Sequence, residues 1–70
     1  MIELAIDCYQ NLLMHQALLD SGTLNEMQRK SIIKQREILE LILLAIAERK
    51  TRKVHILLSL LELYNISKLN

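Results

Sequence analysis

With no proline and a single glycine, Gly22, in seventy residues, this chain has few places where it can turn sharply. A β-rich fold of this size needs several turns built on those residue types, so the pattern predicts a few long helices. The expected fold class is all-α, in one domain spanning residues 1–70. The apolar content points the same way. It makes up 51% of the chain and comes mainly from Leu and Ile, the residues with which helical bundles fill their cores.

At about 100° per residue, helix 1 is expected over about residues 2–20, with Ile2, Ala5, Ile6, Tyr9, Leu12, Leu13, Ala17 and Leu19 on its inward face. Glu3, Asp7, Gln10 and Asn11 lie opposite. Leu4, Met14 and Leu18 interrupt that polar side and mark a candidate second contact surface. Gly22 supplies the left-handed conformation that closes a helix, giving a turn at about 21–23. Thr23 with Glu26 three residues later forms an expected capping box, so helix 2 is expected from about Leu24 to residue 50. So short a connection joins antiparallel neighbours and predicts a helical hairpin.

Helix 2 is polar in its first half, and even the inward stripe of Leu24, Met27 and Ile38 carries Gln28, Ser31 and Gln35. From Ile38 to Ala47 it is apolar nearly all round. One hairpin neighbour cannot cover such a segment. If the helix continued, Arg49 and Lys53 would fall on the apolar stripe, which argues for a break. No Gly or Pro enforces one, so a third helix over about 54–65 and one continuous long helix both remain open. In that last segment Val54, Ile56, Leu57, Leu58, Leu60, Leu61, Leu63 and Tyr64 line more than half the circumference.

This much apolar surface predicts assembly into a dimeric or larger helical bundle, because a chain this short buries little surface by itself. The residues expected at contacts with a partner are Leu4, Met14, Leu18, Leu41, Leu44, Ile56, Leu60 and Leu63. Charge is divided unevenly. Residues 1–28 hold four acids and no Lys or Arg, a net −4, and residues 29–70 hold nine bases against four acids, a net +5. The two parts attract, within one chain or between two.

No catalytic, cofactor-binding or metal-binding constellation is expected. His55, Ser59 and Glu62 share one helical face, but a triad also needs oxyanion donors and a water-excluding cleft. Cys8, His15 and His55 do not reproduce any zinc-site spacing. The stretch Ile38 to Ala47 is about half of a membrane span. The N-terminus lacks the basic region of a signal peptide, so a cytoplasmic location is expected.

The expected function is a small non-catalytic protein–protein interaction module: an adaptor, co-chaperone or regulator that acts through apolar helix faces. Its expected partners are itself, another helical protein, or both, with no small-molecule substrate. The alternative is a dimeric nucleic-acid-binding regulator using the basic cluster Arg49, Lys50, Arg52 and Lys53. The layout of a short first helix, a glycine turn and a long second helix resembles Rop-type hairpins and the small helical co-chaperones of secretion systems. The resemblance is one of shape, and no residue is carried over from it.

Overall fold

The computed structural model describes the backbone of residues 2–69 and the side chains of residues 2–64. Three helices and no strand occur among them: α1 (Ile2–Ser21), α2 (Glu26–Ala47) and α3 (Thr51–Leu69).

The first turn is longer than expected. Gly22 takes φ 70° and closes α1. The Ser21 hydroxyl donates to the Leu18 carbonyl at 2.6 Å and lies 2.9 Å from the Thr23 hydroxyl. Thr23 therefore belongs to the end of α1 and does not cap α2. Asn25 does. Its side-chain oxygen accepts from the Gln28 amide at 2.8 Å, and the Gln28 side chain accepts from the Asn25 amide at 3.1 Å. The capping box is thus Asn25 with Gln28, replacing the expected Thr23 with Glu26. Asn caps at least as well as Thr, and the later start leaves Leu24 half-buried in the turn.

The second turn settles the question of continuity in favour of separate helices. α2 stops at Ala47, earlier than expected, and α3 starts at Thr51, also earlier. The Lys50 amide donates to the Ala45 carbonyl at 2.9 Å and the Arg49 amide to Ile46 at 3.0 Å. This is a Schellman motif, whose left-handed position normally falls to glycine. Here Arg49 fills it at φ 60°. The break removes Arg49 from the apolar stripe, so the cost of one left-handed residue replaces that of an enclosed guanidinium.

α2 is the central helix and packs against both others, whereas α1 and α3 do not approach each other closely among the described residues. Ile2 and Ile6 lie beside Ile46 and Thr51 at one end, and Asn11 and His15 lie beside Gln35, Leu39 and Leu61 further along. Both outer helices therefore run antiparallel to α2 and parallel to each other. The result is a flattened layer of 36 × 23 × 15 Å. Its core joins Cys8 from α1, Ile38, Leu39, Ile42 and Ala45 from α2, and Val54 and Leu57 from α3.

α1 is rotated from the expected orientation. Cys8 is buried, and Leu4, Leu12, His15 and Leu19 are half-buried, whereas Ile2, Ile6, Tyr9 and Leu13 are exposed. The inward face lies about 80° from the expected one. The apolar arc of α1 is wider than one neighbour can cover, and the part that is used also carries a polar contact. His15 turns inward to meet Gln35 of α2, with its Nε2 2.9 Å from the Gln35 side-chain oxygen.

Candidate interaction surface

The two sides of the layer differ in chemistry. One side carries the cleft between α1 and α3, floored by Gln35 and Leu39. There the His15 ring lies between two oxygens, with Nδ1 2.6 Å from the Asn11 carbonyl oxygen and Nε2 2.9 Å from the Gln35 side-chain oxygen. The Gln35 amide nitrogen donates to the Ser31 hydroxyl at 3.2 Å. Gln35 is the one buried polar residue of the described core, and it lies between the His15 ring and the Ser31 hydroxyl, where an isolated amide would be costly. The expectation that α2 carries Ser31 and Gln35 on its inward stripe agrees with this.

The other side carries exposed apolar stripes on the outer helices, with charged residues of α2 between them. On α1 the exposed stripe Ile2–Ile6–Tyr9–Leu13 lies about 120° from the centre of the buried arc in one rotational sense. On α3 the exposed stripe Ile56–Leu60–Leu63 lies about as far from its buried arc in the opposite sense. Because α1 and α3 are parallel and flank α2 on opposite sides, mirrored offsets bring both stripes out on the same side of the layer. Asn11 is offset the other way on α1, so that side is opposite the cleft. Between the stripes α2 presents its outer residues Leu41 and Leu44, beside Glu37 and Glu40. Leu44 is 54% exposed and Leu63 61%.

Of the residues expected at contacts, Leu41, Leu44, Ile56, Leu60 and Leu63 are exposed together on this apolar side. Met14 and Leu18 are exposed too, but they lie on the cleft-side flank of α1 and do not join the face. Leu4 packs against the core and is half-buried, which corrects its assignment to an outer surface. The stripe Ile2, Ile6, Tyr9 and Leu13 was assigned to the core by rotation alone. Its spacing of 4, 3 and 4 residues places it on one helical face, which the structure leaves exposed.

The remaining candidates are placed as follows. His55, Ser59 and Glu62 share the polar flank of α3, where the Ser59 hydroxyl donates to the His55 carbonyl at 3.1 Å. That bond engages the hydroxyl with the backbone, not with an imidazole. Burial, and then the neighbouring Asp7 carboxylate, push the Cys8 thiol above its ordinary range. A thiol held neutral in this way behaves as a small hydrophobe. No group of three potential metal ligands occurs among the described residues, and no described helix is long and apolar enough to cross a membrane. Arg49 and Lys50 follow the C-terminus of α2, and Lys50 pairs with Glu48 at 3.6 Å. Arg52 and Lys53 occupy the first turn of α3. The first two therefore complement the dipole of α2 and the second two oppose that of α3. No protein-family model matches the chain, and no curated protein or solved structure gives a significant match.

Proposed function

We propose that this protein is a non-catalytic protein–protein interaction module whose working surface is the apolar side of the layer. The observation that carries the reading is the alignment of two exposed apolar stripes, on α1 and α3, with Leu41 and Leu44 between them. Scattered exposed leucines need no explanation, but two exposed apolar stripes brought to one side of a small layer do. Its occupant is a helical protein, itself or another, because heptad-like stripes accept helices.

The test compares the parent chain with Leu60→Glu, immobilised in turn and offered both free chain and host extract. Circular dichroism confirms that the variant stays helical. Loss of both self-association and specific capture in the variant is expected. Equal binding by the two proteins would overturn the reading.

A second reading rests on Arg52 and Lys53, which sit against the positive end of α3, where an outside anion would offset them. On that reading the chain contacts nucleic-acid phosphates. Binding to random duplex DNA that weakens steeply with added salt would support it.

A further inference from the structure

We infer that the groove between the start of α1 and the α2–α3 turn binds the aliphatic chain of a free fatty carboxylate, with Arg49 holding its head group. This goes beyond the reading of the layer as an interaction module and concerns one end of it only.

The lining decides the class of ligand. The groove has a volume of about 560 Å³ and is lined by Ile2, Ala5 and Ile6 of α1, Ile46 of α2, Arg49 of the turn and Thr51 of α3. That volume falls in the range of small-ligand sites. Ala5, the one small residue among them, lies half-buried on α1 between Ile2 and Ile6 and leaves room there. The apolar part is aliphatic throughout, with no ring on which a flat ligand could stack. The polar part mainly donates: a guanidinium carries five N–H donors and no acceptor, and only the Thr51 hydroxyl can accept. An aliphatic tail ending in an anion suits both parts, and a carboxylate takes two guanidinium donors at once. An extended protein segment would instead bring amide N–H groups, for which the lining side chains offer a single acceptor.

The second observation is the conformation of Arg49. Its φ of 60° is one that glycine takes at no steric cost, as Gly22 does at the other turn, and that arginine does not. Avoiding enclosure on the apolar stripe explains why α2 breaks there, but glycine would make the same break without strain. A side chain kept in a costly conformation points to a use for that side chain. Arg49 forms no ion pair among the described residues, whereas its neighbour Lys50 pairs with Glu48 at 3.6 Å. The surrounding charge agrees. Arg52 and Lys53 follow Thr51 in the first turn of α3, and none of the lining residues is acidic.

The test is calorimetric titration of the protein with decanoate, with circular dichroism as the control for folding. Decanoate is expected to bind at one per chain, and octanoate about tenfold more weakly, because two fewer methylenes are buried. Arg49→Gly should weaken decanoate binding at least about tenfold through loss of the charge-assisted hydrogen bonds. Glycine relieves the backbone strain at that position, so the loss cannot be attributed to unfolding. Ala5→Phe fills the groove and should abolish binding. Leu60→Glu, further along the layer, should bind decanoate as the parent does. Unchanged binding in either Arg49→Gly or a folded Ala5→Phe would place the ligand elsewhere and overturn the inference. Loss of binding in Leu60→Glu would overturn it in favour of uptake along the whole exposed side. Equal binding of decyltrimethylammonium would do so by showing apolar contact without recognition of the anion. A parent that leaves decanoate unbound at about 1 mM would also overturn it, and binding of phosphatidylglycerol vesicles in that case would assign the basic residues to a membrane surface.

Discussion

Two residues hold the left-handed conformation that ends a helix, and they are chemically opposite. Gly22 adopts it at no steric cost, and a Cβ added there would meet nothing within 4 Å. Gly22→Ala should therefore cost about 1 kcal/mol from backbone conformation alone. Arg49 already carries that cost, so Arg49→Gly should raise stability by about 1 kcal/mol in urea unfolding. A loss of stability instead would mean that the Arg49 side chain makes contacts that outweigh its backbone strain. Cys8 gives a second check at this scale. Its pKa is raised in the fold, so the stability it contributes is fully present below the thiol's unfolded pKa. That stability is lost as pH rises through the folded value. Native chain should react with iodoacetamide far more slowly than urea-unfolded chain at neutral pH, and equal rates would place Cys8 at the surface.

Among the helices, the start of α2 is the clearest case of local chemistry choosing between two available signals. Asn25 and Gln28 satisfy each other's backbone amides, so Asn25→Ala should cost about 1 kcal/mol. Thr23→Ala touches only the hydroxyl of Ser21 and should stay within about 0.5 kcal/mol. Reversal of that order would restore Thr23 as the cap. The spacing Thr23–Glu26 and the spacing Asn25–Gln28 both fit a capping box, so sequence alone could not separate them. At the other end, the clash between a continuing helix and the position of Arg49 was legible and argued for a break, although one continuous helix stayed open. The form of the break was not, because a Schellman motif closed by arginine has no composition signal.

For the whole molecule, Leu44 separates fold from assembly. It lies on the outer side of α2, covered by neither α1 nor α3, and is 54% exposed. Leu44→Lys should change the stability of the isolated layer by no more than about 0.5 kcal/mol. If that side is the interaction surface, the same lysine would enter the interface as an unpaired charge, and association should be lost at concentrations where the parent associates. Light scattering coupled to size exclusion, with thermal unfolding of the same samples, reads both effects. Unfolding of the whole chain would place Leu44 in an internal core. Unchanged association would place the interface elsewhere.

The sequence by itself determined the all-helical class, the hairpin turn at Gly22 and the polar insert at Ser31 and Gln35, whereas the second half of α2, expected to be enclosed all round, leaves Leu41 and Leu44 exposed. Each is a local matter of turn chemistry or rotation along one helix, and each can be counted from residue spacing. Only the tertiary structure decided which part of each wide apolar arc faces inward. α1 offers both Leu4–Cys8–Leu12 and Ile2–Ile6–Tyr9–Leu13, and rotation alone favoured the second, which the structure leaves outside. The first set packs in the core, on the same face as the contact between His15 and Gln35, twenty residues apart, and the second stays outside. The common exposure of the α1 and α3 stripes on one side follows from the antiparallel order of three helices. That is a property of their mutual placement, and no single helix carries it.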